Sequence, residues 1–393
     1  MKPLYKILVI VGITILVGII VYFIWNSLTS DSIPQTPPRG TELPLGTPLP
    51  EVGGGVTTST SETPTLGEQK TLQAQKFSKN PAFDFWIERD TKEIYYLGLD
   101  GKIFSAKEGP DLDISNQTVE ALNSIESSSK GEKILASFGN PLAPQWGIFD
   151  SIDKVWRPLP ADILIATWGA NERELIATTK TKDEISLATI DLTKTPFAYK
   201  ILIKDFRFND VVFSMKAPDI LLFWEKPSLG YAGRVWQLNL KTLGITLLSS
   251  PQNGFSLSWS SDKTIGFRFV PPASFSLVSP NLSGLTPVFF STFPKKCEGS
   301  ATSTVYCFVP QFASLPTLNI NLPDDYLQKK FFSVDDLYTI DMKNETTEKT
   351  LEGNTSALPS IDAEHPQLID STLYFINRYD RYIYKIDLPK TSQ

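Results

Sequence analysis

From Thr71 to the C-terminus the chain is written in short runs of five to seven residues where apolar and polar positions alternate. The runs are rich in Ile, Val, Phe, Tyr, Thr and Trp, and Gly, Asn, Asp, Ser and Pro separate them. That pattern predicts β-strands joined by tight turns. No capped helical pattern exceeds two turns. Val119 to Ser124 reads as a short helical turn or equally as a strand end.

One unit recurs, made of a polar turn, a strand, a second turn, and a strand ending on a hydrophobic-Asp/Asn step. Its clear copies pair 173–177 with 187–192, 219–223 with 235–240, 303–307 with 336–342, and 371–376 with 383–388. Weaker copies pair 93–97 with 102–106, 132–136 with 145–150, and 263–267 with 276–282. The equivalent positions Ala106, Asp150, Asp191, Asn239, Asn281, Asp341 and Asp387 are 44, 41, 48, 42, 60 and 46 residues apart. A four-stranded propeller blade takes about 40–50 residues, so the spacing predicts an all-β, seven-bladed β-propeller over 71–393. The long interval is explained by an inserted loop from Phe312 to Phe331. The last copy supplies only three strands before Gln393. A fourth is expected from Lys70 to Phe77, because an open ring would leave an unpaired edge beside an apolar face.

Two turns carry a recognisable step. Trp168-Gly169-Ala170-Asn171-Glu172-Arg173-Glu174-Leu175-Ile176 and Trp259-Ser260-Ser261-Asp262-Lys263-Thr264-Ile265 resemble the aromatic-Ser-Pro-Asp-Gly-Lys-x-hydrophobic turn of the WD40-like repeat. That repeat occurs in TolB-type propellers and in the propeller of dipeptidyl-peptidase-IV-like proteins. Neither copy has the Pro, and the Gly is absent. The resemblance implies the fold and does not assign a function.

The N-terminus has a different pattern. After Lys2 and Lys6, residues 7–25 form an apolar run interrupted only by Gly12, Thr14 and Gly18. At about 1.5 Å per residue it spans about 28 Å, which predicts a transmembrane helix from Ile7 to Trp25. A cleaved signal peptide is the alternative, but Tyr22-Phe23-Ile24-Trp25-Asn26 offers no small-x-small cleavage pattern. The lysines precede the span, so residues 1–6 are expected in the cytoplasm and the rest outside, in the periplasm or at the cell surface. Residues 26–70 are rich in Pro, Gly, Ser and Thr and read as a disordered stalk.

Charge and composition then narrow the function. A net charge of −6 with no run of basic residues argues against nucleic acid as a partner. No P-loop and no Gly-rich dinucleotide fingerprint occurs, and no cofactor is expected. His365 is the only histidine, which rules out a two-His zinc motif, and no Gly-x-Ser-x-Gly elbow accompanies it. It reads as structural or incidental. Cys297 and Cys307 flank a Gly/Ser turn, as a disulfide across a hairpin would, with two buried thiols as the alternative. Trp168, Trp236 and Trp259 fall at repeat positions and read as packing residues. Trp86, Trp146, Trp156 and Trp224 are free of that constraint, so one of them is a candidate for a binding surface.

Paired carboxylates at Asp324-Asp325 and Asp335-Asp336 are candidates for funnel acid–base chemistry or for a hard cation, against the plainer reading of solvated loop ends. The function expected is a tethered, non-catalytic module binding a protein or glycan at the cell envelope. Alternatives are a propeller glycoside hydrolase or lyase using funnel carboxylates, and a structural subunit of an envelope assembly.

Overall fold

The computed structural model describes residues 72–389, apart from 116, 183, 209, 273, 281, 283, 300–303, 312–319 and 354–359. The expected span Ile7–Trp25 and the stalk over 26–70 lie outside the described residues. Among the described residues no helix is long and apolar enough to cross a membrane.

Seven antiparallel four-stranded sheets form the blades, and a two-stranded sheet pairs Ala232–Gly233 with Gln252–Asn253 in the connections. Blade 1 comprises Ala82–Ile87, Ile94–Gly98, Ile103–Ala106 and Leu112–Asp113. Blade 2 has Leu122–Ser127, Lys133–Phe138, Gln145–Asp150 and Val155–Pro158. Blade 3 has Ile163–Trp168, Glu174–Lys180, Ile185–Asp191 and Ala198–Ile203, and blade 4 has Val211–Ala217, Ile220–Glu225, Val235–Asn239 and Ile245–Leu247. Blade 5 is Ser256–Trp259, Gly266–Val270, Ser274–Val278 and Leu285–Pro287. Blade 6 is Cys297–Gly299, Thr304–Pro310, Asp335–Asp341 and Thr346–Leu351. In blade 7, Ala363–Ile369, Thr372–Asn377 and Ile383–Asp387 are completed by Ala74–Lys76 from the other end of the domain. That strand pairs Ala74 with Ile386 and Lys76 with Tyr384, closing the ring where an edge was expected to need a partner. Val119 to Ser124 runs into a strand and forms no helix.

Side-chain alternation explains why the sheets stack. In Thr304–Pro310, Val305, Cys307 and Val309 pack toward blade 5, while Tyr306 and Phe308 pack toward blade 7. Leu221 and Phe223 likewise face blade 3, and Leu222 and Trp224 face blade 5. Each pair of neighbouring blades therefore shares one core cluster, and together the clusters run right round the ring. All seven described tryptophans lie in or against these cores, including Trp86, Trp146, Trp156 and Trp224.

The repeat signal has a local cause. Ala106, Asp150, Asp191, Asn239, Asp341 and Asp387 each end the third strand of a blade, and Asn281 lies outside the described residues. Four of these side chains cap the next turn. Asp150 accepts from the Ile152 and Asp153 amides, Asp191 from Thr193, Asn239 from Lys241 and Thr242, and Asp341 from Lys343 and Asn344. Such Asx contacts reverse the chain into the fourth strand.

First strands of blades 1 and 2, 3 and 4, and 6 and 7 touch one another, as strands lining a central channel do. Fourth strands form the rim, and Ala198–Ile203, Ile245–Leu247 and Leu285–Pro287 are largely exposed. On one face, here the crossover face, lie the passages between blades and the turns joining second to third strands. The insertion expected in blade 6 joins its second and third strands, and its described part, residues 311 and 320–334, lies there and includes the short helix α1, Asp324–Leu327. Cys297 and Cys307 sit directly opposite each other in the first hairpin of blade 6 and are bonded.

Because closure rests on a three-residue strand, deleting residues 72–76 should lower the melting temperature and expose the Ile383–Asp387 edge. Calorimetry and size-exclusion chromatography check this. The expected result is a lower transition together with new oligomers, and an unchanged monomer with an unchanged transition contradicts it.

Candidate functional site

A fully buried ion cluster lies on the crossover face between blades 6 and 7. It is built from four separate connections. Lys296 ends the single 3-10 turn Pro294–Lys296 leading into blade 6. Ser333 and Asp335 close the blade 6 insertion, Asp362 leads into blade 7, and Arg378 begins the turn after Thr372–Asn377. The Lys296, Asp335 and Asp362 side chains are fully buried, and Arg378 nearly so. Lys296 Nζ donates to Asp335, to Asp362 Oδ1 at 2.6 Å and to Ser333 Oγ at 3.3 Å, so each of its three protons has an acceptor. Arg378 Nη1 donates to Asp362 Oδ2 at 2.8 Å, and Nη2 reaches the Tyr326 carbonyl of α1 at 3.2 Å. The Ala363 amide and the Ser333 hydroxyl complete Asp335, and the Ser333 amide completes Asp362. Two cations and two carboxylates balance.

Burial lowers the Lys296 ammonium from its ordinary range, and the charge interactions with Asp335, Tyr326 and Asp362 outweigh it and hold the group above that range. Removing one partner from such a cluster leaves a bare buried charge.

Asp335 is thus the one sequence-nominated carboxylate that enters this cluster. Asp336 points to the opposite sheet face and accepts from Gln311 Nε2, the Gly353 amide and Lys349 Nζ, at 2.7, 2.9 and 2.9 Å. Asp324 accepts from Ser228 Oγ and the Leu229 amide, tying α1 to the blade 4 loop. Asp325 accepts from the Asn321 amide and Lys330 Nζ. The four are not brought together, and each holds a loop. Reading them as freely solvated loop ends is corrected accordingly.

The histidine is placed more tellingly than its sequence context implied. His365 adopts a left-handed φ of 54° in a bulge between Glu364 and Gln367, and Asp84 lies at a matching bulge in blade 1. Bulges re-aim side chains, and here His365 Nδ1 donates to the Asp84 carboxylate across the seam of the ring. The imidazole is half-exposed, on a first strand that lines the channel. Burial opposes its charge, but Asp84 outweighs that and raises the imidazole above its usual value. Beside it Arg381 donates to Glu364 Oε2 at 2.8 Å. Glu364 is driven down to about 2 against its burial by Lys295, Arg381 and Arg378.

Further along the channel two carboxylates are poised differently. Burial pushes Glu126, in the first strand of blade 2, up to about 7, with Thr167 donating to it at 2.8 Å and the Lys263 ammonium partly offsetting. Burial likewise pushes Glu298 up to about 7 while Ser261 and the Gly299 amide donate to it. On the face opposite the crossovers, Glu88, Asp90 and Glu132 bring carboxylate oxygens within 4.8 Å of one another. Both Glu88 oxygens already accept from the Asp90 and Thr91 amides, so the group is committed to the turn.

No protein-family model matches the sequence, and no curated protein matches it. Solved structures do. An oligogalacturonate lyase in complex with manganese superposes with a TM-score of 0.53 at 12% identity, over 81% of this chain and 91% of that one. The oligogalacturonate lyase of Vibrio parahaemolyticus gives 0.52 at 12% identity, over 82% and 98%. A β-propeller domain from Myceliophteria thermophila gives 0.52 at 12% identity, over 80% and 99%. The likeness is one of fold. It assigns the chain to no repeat family and carries no activity across.

Lys296, Asp362, Arg378 and Arg381 had no signal in the sequence because they come from separate connections, and Asp84 and Glu364 because they sit in first strands that only folding brings beside their partners.

Two measurements check this geometry. Lys296→Met should cost about 3–5 kcal/mol in urea unfolding. Adding Asp335→Leu should recover part of that loss, since the Asp362–Arg378 pair would then be balanced alone; no recovery contradicts the charge account. For His365, the folded value lies above the unfolded one, so the pair stabilises the fold below the unfolded value near 6.5 and loses that contribution as pH rises through the folded value. With a single histidine, one imidazole Cε1 proton signal reports it by NMR. Its midpoint is expected above 6.5 and should fall in Asp84→Asn, whereas a midpoint at or below 6.5 in the parent protein contradicts the pairing.

Proposed function

We propose that this chain is a membrane-tethered, extracytoplasmic β-propeller that acts as a non-catalytic binding module at the cell envelope, using the crossover face at blades 6 and 7. The reading rests chiefly on the buried Lys296–Asp335–Asp362–Arg378 cluster. It locks connections from several parts of the chain into one rigid platform, and rigid loops lose little entropy when they bind a partner. Above it Leu327, Phe332 and Tyr379 remain exposed, the kind of surface a binding face presents. The carboxylates nominated for funnel chemistry are engaged in holding this platform. The tether rests on the apolar run Ile7–Trp25 and the lysines before it.

A second reading is favoured by one observation. Glu126 and Glu298, both pushed up to about 7, have the proton affinity suited to acid–base work near neutrality. The oligogalacturonate lyases that share the fold keep a lyase as the alternative enzyme.

Full-length protein in detergent, used as bait on cell-envelope extracts beside a Phe332→Ser/Tyr379→Ser variant, separates the two. Recovery of a specific protein or glycan by the parent alone supports the binding module. Equal recovery by both, or none by either, removes it. Turnover of glycan substrates abolished by Glu126→Gln or Glu298→Gln would establish the enzyme instead.

A further inference from the structure

The outer edges of the seven blades are not equally protected. A strand at a sheet edge presents unpaired N–H and C=O groups, and proteins blunt such edges with short strands, proline or charge. Leu112–Asp113, Ile245–Leu247 and Ala74–Lys76 are two or three residues long, and Val155–Pro158 and Leu285–Pro287 end on proline. Thr346–Leu351 is longer but carries Glu348 and Lys349, and Lys349 pairs with Asp336 at 2.9 Å. Ala198–Ile203 in blade 3 departs from this. It has six residues, Ala-Tyr-Lys-Ile-Leu-Ile, with the first four exposed and a single charge among them. Those four keep regular register against residues 188–191 before a bulge, so their free edge is unbroken. Among the described residues no fifth strand covers it.

A groove adjoins this edge. Its volume is about 670 Å³, and Pro160, Pro196, Phe197, Tyr199 and Ile201 form most of its wall. Tyr199 and Ile201 alternate along the strand, so one face of the open edge is also one wall of the groove. Two charged side chains line it, Asp162 and Lys194. Lys194 acts on the Asp191 carboxylate, and Lys200, on the other face of the strand, acts on Glu174. The Asp162 carboxylate accepts from the Tyr199 hydroxyl at 3.4 Å, and among the described residues no ammonium or guanidinium lies at ion-pair distance from it. Burial and that carboxylate push the Tyr199 hydroxyl up to about 12, so it remains a donor to Asp162 at neutral pH.

These features select the occupant. A row of unpaired backbone groups is matched by another extended chain, which a sugar or a lipid cannot supply. Apolar walls beside alternate positions call for apolar side chains two residues apart, and the carboxylate without a cation calls for one basic side chain among them. A second copy of the strand, related by a two-fold axis normal to the sheet, would bring its own Tyr199 and Ile201 to this face. Its Lys200 would lie on the opposite face and leave Asp162 unanswered.

We propose that the blade 3 rim binds an extended peptide segment of a partner protein by strand addition, with apolar side chains and one basic side chain entering the groove beside Tyr199 and Ile201. The site lies on a different blade from the crossover surface proposed above and does not depend on it.

Fluorescence anisotropy with the full-length protein in detergent tests this, using fluorescein-Thr-Val-Thr-Lys-Thr-Val-Thr-amide, whose Val, Lys and Val share one strand face. Saturable binding is expected. Tyr199→Ser/Ile201→Ser should weaken it at least about tenfold with the melting temperature unchanged, because both side chains are exposed. Phe332→Ser/Tyr379→Ser should leave it intact, which separates this site from the crossover face. Replacing the peptide's Lys by Glu should weaken binding to the parent protein, and the difference should vanish in Asp162→Asn; equal binding of both peptides to the parent overturns the basic side chain. Two versions, N-methylated on the Thr amides or on the Val and Lys amides, block one strand edge each. Both binding as tightly as the unmethylated peptide overturns strand addition. Absence of saturable binding overturns the inference, and a dimer of the protein that is lost in Tyr199→Ser/Ile201→Ser assigns the edge to a second copy instead.

Discussion

A four-stranded sheet with apolar side chains on both faces cannot exist alone in water, and the fold follows from that constraint. Alternation sends Val305, Cys307 and Val309 one way and Tyr306 and Phe308 the other, so blade 6 requires a neighbour on each side. The same holds for every blade, and only a closed ring satisfies all of them. Closure then depends on a strand from the start of the domain, Ala74–Lys76, pairing with Ile383–Asp387 near its end. No local contact can replace it. The ring also brings Asp84 of blade 1 against His365 of blade 7, residues that are far apart in the chain.

Much of this was readable in the amino-acid order because it depends on local rules. Second strands are apolar on both faces and stand out as continuous runs, as in Ile220–Glu225 and Thr372–Asn377. Third strands end on Asp or Asn because the following turn needs a side-chain acceptor, which gave the repeat its period. Fourth strands were hard to see, since a rim strand such as Ala198–Ile203 or Thr346–Leu351 is largely solvated and needs no alternation. The degenerate Trp168 and Trp259 turns mark first hairpins, where the chain only has to reverse.

The candidate site was mostly unreadable for a different reason. Its charges lie in connections, where sequence pattern is weakest, and their meaning comes from burial. Asp335 and Asp336 are adjacent and chemically identical. The two-residue period turns one into a fully buried ion cluster and the other toward Gln311, Gly353 and Lys349. A one-residue slip in that strand would turn Leu337 and Ile340 toward the wrong neighbouring blades. Buried ion clusters contribute less to stability than their geometry suggests. Here the Lys296 cluster makes one register and one arrangement of loops far better than the alternatives.

The two ends of the channel bear on the choice between binding and catalysis. On the face away from the crossovers, Arg89 of blade 1 donates to the Ser261 carbonyl of blade 5 at 2.6 Å, and Lys263 reaches the Met215 carbonyl of blade 4 at 3.0 Å. These contacts reach between blades that are not neighbours or cross from one first strand to the next loop, and they narrow that end. Glu126 and Glu298 owe their raised proton affinity first to burial. Burial of that kind marks a carboxylate as poised only where a substrate can reach it. At the crossover mouth the carboxylates nominated in the sequence are engaged in holding loops, while Phe332 and Tyr379 remain exposed. Acids committed to loop structure beneath an exposed, rigid mouth are what the binding-module reading needs.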